Sequence, residues 1–171
     1  MRRRVGRFTR FIAVFIMASV FAALFSGCAR EQSWKIGARA PEISVLDLDD
    51  KTVKLADFKG KPVVLRFWAT GCQACVAAMP ELDRFSKKYR EQGLVVLSIN
   101  MGNSKPLVEA FAKGLKLSFP VLLDPALIAA KKYAVRAVPT TFFIDGKGIA
   151  RKVVVGEIKQ EAFDKAVGEM M

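Results

Sequence analysis

Apolar positions change their spacing several times along this chain, and each change marks an element. Phe11 to Phe25 is an uncharged run, apolar throughout except at Ser19. Arg30 to Ala38 shows no period and predicts a short tether. Ile43 to Leu48 alternates loosely, and Thr52-Val53-Lys54-Leu55 repeats the alternation across Asp49-Asp50-Lys51, which predicts a hairpin. Pro62 to Ala69 is almost continuously apolar, the pattern of a strand covered on both faces. From Cys75 the period lengthens. Met79, Leu82, Phe85 and Tyr89 fall three or four apart, the stripe of a helix ending before Gly93. Leu94 to Ile99 predicts a second buried strand. Ser104 stands as the N-cap of a helix bearing Leu107, Val108 and Phe111, with a stop at Gly114. Val121-Leu122-Leu123, a short helix between Ala126 and Tyr133, strands at Thr141 to Asp145 and Ile149 to Val155, and a last helix from Lys159 complete the series.

Strands alternating with helices at these spacings predict an α/β fold, a parallel or mixed sheet with helices on both faces. The length of 171 residues suits one domain with a tail, large enough to bury a core. There is no internal repeat and no low-complexity tract.

The tail has its own logic. Arg2, Arg3, Arg4, Arg7 and Arg10 precede the run from Phe11 to Phe25, and Ser26-Gly27-Cys28 follows it. Basic, apolar and small-residue regions in that order form a secretory signal. Fifteen helical residues rise about 22 Å, short of a bilayer core of about 30 Å, which favours a cleaved signal over a permanent span. Leu24-Phe25-Ser26-Gly27-Cys28 resembles a bacterial lipobox, with Phe25 where an aliphatic residue usually sits. That resemblance implies acylation of Cys28, which becomes the mature N-terminus and anchors the chain in a membrane. An uncleaved short anchor is the alternative.

Composition narrows the chemistry. The chain has no His and three Cys. Ser-His-Asp hydrolysis, Cys-His proteolysis and His-ligated metal sites all need an imidazole that is missing, so neither a metal nor another bound cofactor is expected. Without residues 1–27, which hold five Arg and no acid, the formal charge falls from +12 to +7. The remaining Lys are scattered and lack an aromatic-interleaved stripe, so they read as a solvated positive surface; nucleic acid is not an expected partner.

Cysteine is the reactive residue left. Cys72-Gln73-Ala74-Cys75 lies where the Val63–Ala69 strand gives way to a helix. Two cysteines spaced this way in a first helical turn have Cα atoms about 5–6 Å apart, inside disulfide range. The free N–H groups at the helix start favour a thiolate on the first. Cys72 then attacks and Cys75, a turn deeper, resolves the mixed disulfide. A plain structural disulfide is an open alternative; half a metal site is a poorer one, because with Cys28 acylated only two Cys remain.

Far along the chain, Ala137-Val138-Pro139-Thr140-Thr141-Phe142 puts a proline just ahead of a buried strand. With it, Phe67-Trp68-Ala69-Thr70-Gly71-Cys72-Gln73-Ala74-Cys75 and Met79-Pro80-Glu81-Leu82 resemble the TlpA/ResA-like, membrane-anchored thiol–disulfide oxidoreductases of the thioredoxin superfamily. Gly37 to Glu42 followed by Leu55 to Lys61 is similar to a leading segment that this group shares with peroxiredoxins. The likeness covers about residues 36–169 in continuous order.

The resemblance implies a thioredoxin-like fold: a central mixed β-sheet flanked by helices, an N-terminal β-hairpin extension, and a helix–strand insertion between Ser104 and Asp124. It divides the chain into a signal peptide (1–27), a tether (28–38) and a thioredoxin-like domain (39–171). It implies a cis Val138–Pro139 bond, with Val138, Pro139, Trp68, Gln73 and Ala74 shaping the substrate groove, where an extended segment adds as a strand. It implies dithiol–disulfide exchange with exported proteins, mostly in the reducing direction and often on apocytochrome c, fed by a membrane thiol donor. The location implied is extracytoplasmic.

Three positions depart from that pattern. Gly71 replaces a bulky residue before the first Cys. Ala78 stands where many ResA-like reductases carry Glu. Arg66 occupies a strand position where relatives hold a buried acid or Asn. An acid at either place could accept the proton of the second thiol. Arg66 cannot, although a cation near the cysteines lowers both thiol pKa values and makes the disulfide the better oxidant. Alternatively Arg66 points to solvent past a sheet edge. A Pro-x-x-x-Thr/Ser-x-x-Cys peroxidase motif and a CxxxC copper motif are both missing. A non-catalytic peptide-binding lipoprotein on the same scaffold remains the alternative from another class.

Overall fold

Seven strands form one mixed sheet: β1 (Ser44–Asp47), β2 (Thr52–Lys54), β3 (Val63–Trp68), β4 (Val95–Met101), β5 (Val121–Asp124), β6 (Thr140–Ile144) and β7 (Ala150–Val155). Five helices accompany them: α1 (Gln73–Ala77), α2 (Met79–Tyr89), α3 (Lys105–Gly114), α4 (Ile128–Lys132) and α5 (Gln160–Gly168). These come from a computed structural model that describes residues 34–171. The expected signal peptide, Cys28 and most of the tether lie outside the described residues. Among those described, no helix is long and apolar enough to cross a membrane.

The strand order is β2-β1-β5-β4-β3-β6-β7. Parallel pairs β3–β4 and β4–β5 form the centre, and antiparallel pairs β3–β6, β6–β7, β1–β2 and β1–β5 form the flanks. The expected hairpin is therefore β1–β2. The expected insertion is α3–β5, which carries the sheet out to that hairpin.

Alternation along β3 sorts the core. Val64 and Trp68 point into a cluster with Cys75, Met79, Leu82 and Phe85 of α1–α2, Val108 of α3 and Phe163 of α5. Val63, Leu65 and Phe67 point the other way, to Ala129 and Ala130 of α4, Tyr133 and Ile43. Side chains of period two on a sheet covered on both faces produce the continuous apolar run read in the sequence. Phe85 stacks on Phe163 with centroids 4.3 Å apart, while Tyr133 meets Phe142 edge-on at 4.8 Å.

Two local expectations change, the helix after Cys75 and the end of the tether. The helix expected beyond Cys75 is two helices divided at Ala78, because Pro80 has no N–H to continue the ladder. Helix α3 ends at Gly114 as expected, and the chain reverses just beyond it at Lys116, whose φ is +52°. Residues 34–38, expected as the end of a tether, are folded onto the domain. Trp34 Nε1 donates to the Tyr133 carbonyl at 2.7 Å, its ring meets Phe142 edge-on, and Gly37 N–H donates to the Ala150 carbonyl at 2.8 Å. Their lack of period is that of an irregular segment pinned by its aromatic residue.

Candidate active site

The centre of the site is built at the C-terminal end of β3. Cys72 N–H closes a turn on the Ala69 carbonyl at 3.2 Å, and Thr70 N–H donates to Asn103 Oδ1 at 3.1 Å. Asn103 is itself held by Asn100 Oδ1 at 3.3 Å. The loop between β4 and α3 thereby fixes the segment that leads into Cys72. Cys72 takes extended backbone, φ −93° and ψ 102°, as the N-cap of α1. Ser104 takes the corresponding place at α3, with no side-chain bond to the helix.

Cys72 and Cys75 form a disulfide with Cα atoms 5.2 Å apart. The two sulfurs have different surroundings. Cys72 is half-buried and receives the Cys75 N–H at 3.1 Å, whereas Cys75 is wholly buried in the core. An amide aimed at Cys72 Sγ favours a thiolate there once the S–S bond is broken, because the bond to it becomes charge-assisted. A half-buried sulfur with an amide donor and a wholly buried partner one turn on is the arrangement that thiol–disulfide exchange requires.

The second half arrives from β6. The Val138–Pro139 bond is cis, and the Val138 carbonyl oxygen lies 3.6 Å from Cys72 Sγ. Thr140 Oγ1 donates to the Ala137 carbonyl at 2.6 Å, and Gly156 N–H donates to the Pro139 carbonyl at 2.7 Å. These two bonds hold the proline turn from both sides. Pro139 is buried and Val138 half-buried; Gln73 and Ala74 are exposed beside Cys72.

Trp68 does not join them. Its side chain is 0% exposed and packs on Phe111 in the core, so the expected substrate contact is corrected to a structural one. Arg66 is also buried, at 1% exposure, which removes the alternative that it points to solvent. Its Nη1 donates to Thr141 Oγ1 at 3.2 Å. Burial pulls the guanidinium down to about 10, with Glu157 and Glu81 opposing through their charge, so it remains cationic at neutral pH. Among the described residues no cluster of three or more His, Cys, Asp or Glu side chains could hold a metal.

The sequence reading passed over Asn100, Asn103 and Gly156 as supports of the site. Gly102-Asn103-Ser104 has the composition of a turn, but nothing local says that this turn reaches Thr70.

Comparison with known proteins agrees with this geometry. The model of the AhpC/TSA family matches residues 36–153. The chain belongs to that family. It is similar to the thiol-disulfide oxidoreductase ResA of Bacillus cereus, at 34% identity over 90% of each chain. Among solved structures it is similar to one described as a DsbE-type thiol:disulfide interchange protein from Chlorobium tepidum. That match has a TM-score of 0.75 and 27% identity, and covers 81% of this chain and 99% of that one. It is also similar to the exposed lipoprotein thioredoxin of Streptococcus pneumoniae, with a TM-score of 0.68 and 32% identity, over 75% of this chain and 99% of that one. The fold is thioredoxin-like, and the chain is a thiol–disulfide oxidoreductase of that fold with Cys72–Cys75 as its disulfide.

Proposed function

We propose that this oxidoreductase works outside the cytoplasm, held to a membrane by an acylated Cys28, and exchanges its Cys72–Cys75 pair with cysteines of exported proteins. The observation that carries the exchange is the half-buried Cys72 sulfur, 3.6 Å from the Val138 carbonyl and bonded by the Cys75 N–H. An extended client segment lies along Val138 and Pro139, between them and Gln73–Ala74, and pairs through its backbone. Client specificity is then low, since main-chain bonds read no side chains. The client's sulfur attacks Cys72 or is attacked by it, and Cys75 releases the mixed disulfide. Residues 1–27 act as a lipoprotein signal and 28–33 as the tether of a domain that begins at Trp34. The likeness to an exposed lipoprotein thioredoxin supports the anchored location.

The direction we propose is reduction, with apocytochrome c cysteines among the clients and a membrane thiol donor supplying electrons, as the resemblance to ResA-like proteins implies. Disulfide formation is the second reading, and the buried cation Arg66 favours it.

Equilibrating the full chain with glutathione or dithiothreitol buffers decides the direction. A potential near or below about −230 mV supports reduction, and one near −120 mV supports oxidation. A pair with no reversible couple would leave a peptide-binding module. Mass spectrometry of the membrane-extracted protein tests the anchor: the expected N-terminus is an acylated Cys28, and an intact Met1 would reject it.

A further inference from the structure

Four basic residues that stand far apart in the sequence come together on the fold. Residues 34–42 run along α4 and Tyr133. Trp34 Nε1 donates to the Tyr133 carbonyl at 2.7 Å, Tyr133 Oη to the Pro41 carbonyl at 2.8 Å, and Lys132 Nζ to the Glu42 carbonyl at 3.0 Å. Helix α4 turns Ala129 and Ala130 into the core, so Ile128, Lys131 and Lys132, three and four apart, share its outer side. Lys35 and Arg39 of the first segment thus join Lys131 and Lys132. All four are exposed, and none is in an ion pair among the described residues. Glu42 is the one acid of these two segments, and its Oε1 already accepts the Ala56 N–H at 3.1 Å.

Apolar side chains stand among these bases. Ile36 is 62% exposed and Ile128 57%, and the half-buried Trp34 lies against Tyr133 beside them. A single exposed Ile needs no explanation. Two, set with an indole among unpaired Lys and Arg, make an amphipathic surface. Such a surface suits the headgroup boundary of a bilayer, where bases meet anionic headgroups and apolar side chains enter just below them. Trp is favoured at that same depth.

The length of the tether favours lipid over a soluble acidic partner. Cys28 and Trp34 are six residues apart, a span of about 20 Å when fully extended. An acyl group on Cys28 therefore keeps Trp34 and its surroundings at high local concentration beside the bilayer. We propose that the side of the domain formed by residues 34–39 and the outer side of α4 docks on a membrane of anionic phospholipid. This rests on the acyl-anchor reading above and deepens it: the anchor holds the chain at the membrane, and the docked side sets its orientation. Helix α1 with Cys75 packs on the other face of the sheet, as does the half-buried Cys72. Docking thus leaves the exchange site clear of lipid and open to exported clients.

Quenching of tryptophan by brominated lipid tests this. The chain extracted from membranes is reconstituted into phosphatidylcholine vesicles with or without phosphatidylglycerol, their acyl chains plain or brominated. Of the two Trp, Trp34 lies on the proposed side, and Trp68 is sealed in the core on the other face of the sheet. The expected result is that bromine removes roughly half of the emission when phosphatidylglycerol is present, one of two Trp being within its reach, and little without it. In 1 M salt, where charges are screened beyond about 3 Å, the loss shrinks. Lys35→Glu/Lys131→Glu, which changes two exposed side chains, abolishes the loss and leaves exchange with dithiothreitol unaltered. Equal emission on plain and brominated anionic vesicles that carry the floated protein overturns the proposal. So does a loss that is the same without phosphatidylglycerol or in the double variant. A chain whose mass shows no acyl group on Cys28 rejects the anchor reading itself, and the proposal falls with it.

Discussion

Cys72 Sγ lies 3.6 Å from the carbonyl oxygen of Val138, although 66 residues separate them in the chain. Each is fixed by hydrogen bonds of its own: Cys72 by the Ala69 carbonyl and the Cys75 N–H, and the Val138 turn by the Thr140 hydroxyl and, from beyond β7, the Gly156 N–H. The reactive sulfur thus sits beside main chain brought from a distant element, and neither half forms the site alone.

The two cysteines are not equivalent, and their variants are expected to differ. Cys72→Ser removes the more accessible sulfur, the nucleophile, and abolishes reduction of a protein disulfide. Cys75→Ser keeps the nucleophile but removes the sulfur that resolves the mixed disulfide, so client proteins accumulate on Cys72. Non-reducing electrophoresis after acid quenching reads both. Trapping by Cys72→Ser in place of Cys75→Ser would reverse the assignment of roles, and equal trapping would abolish it.

Gly71 precedes the nucleophile, is exposed, and a Cβ there meets nothing within 4 Å. Its backbone is one that any residue can adopt. Gly71→Trp is therefore expected to change stability by no more than about 0.5 kcal/mol, as surface substitutions usually do. It narrows the approach to Cys72, so the rate with a folded protein client falls more than the rate with dithiothreitol. Parallel rate measurements on the two substrates show whether the open space serves client access.

Gly146 is the opposite case. A Cβ there would sit 2.9 Å from the Gly60 carbonyl oxygen and 3.1 Å from its carbon, both main-chain atoms that cannot swing aside. The two turns also share the bond from Gly60 N–H to the Gly146 carbonyl at 3.1 Å. Gly146→Ala is expected to destabilise the fold by about 1–3 kcal/mol, the usual range for overpacking. Urea unfolding of the oxidised protein measures it.

Asp145 ties the β6–β7 turn together. Burial opposes its ionisation, but bonds from the Ile149 N–H, Arg151 and the Lys147 N–H outweigh that and hold the carboxyl below its usual range. Asp83 is held low in the same way: burial opposes, and Lys87 and Ser118 prevail. A folded pKa below the unfolded value of about 3.9 gives stability that is complete above that pH and lost as pH falls through the folded value. The Tm is accordingly expected to drop on acidification below about pH 4. Asp145→Asn should lower the Tm at pH 7 and flatten that acid drop. Thermal unfolding from pH 2.5 to 7 checks both.

Most of the elements were legible because their spacing is a local property. The unbroken apolar run at Val63–Trp68 follows from a strand covered on both faces, and the Met79–Leu82–Phe85–Tyr89 stripe from a helix covered on one. The cysteine pair needed only its spacing and its place after a strand. Other features depended on neighbours remote in sequence. Trp68 carries an aromatic residue's promise of client contact, but the packing of Phe111 against it leaves no exposed surface. Trp34 lies in a segment without period and is folded because Tyr133 and Phe142 receive it. Arg66 was identifiable as an anomaly, yet a charged residue in a strand could face water or core with equal grammar.

The sequence by itself determined the order of strands and helices, the reactive pair and the proline turn, since each rests on residues within a few positions of one another. Tertiary structure alone decided that Arg66 is buried beside Ser98, that Asn103 braces Thr70, and that the Val138 carbonyl meets Cys72. Those relations arise from strand register and loop contact, which depend on how the whole sheet closes rather than on any one stretch of chain.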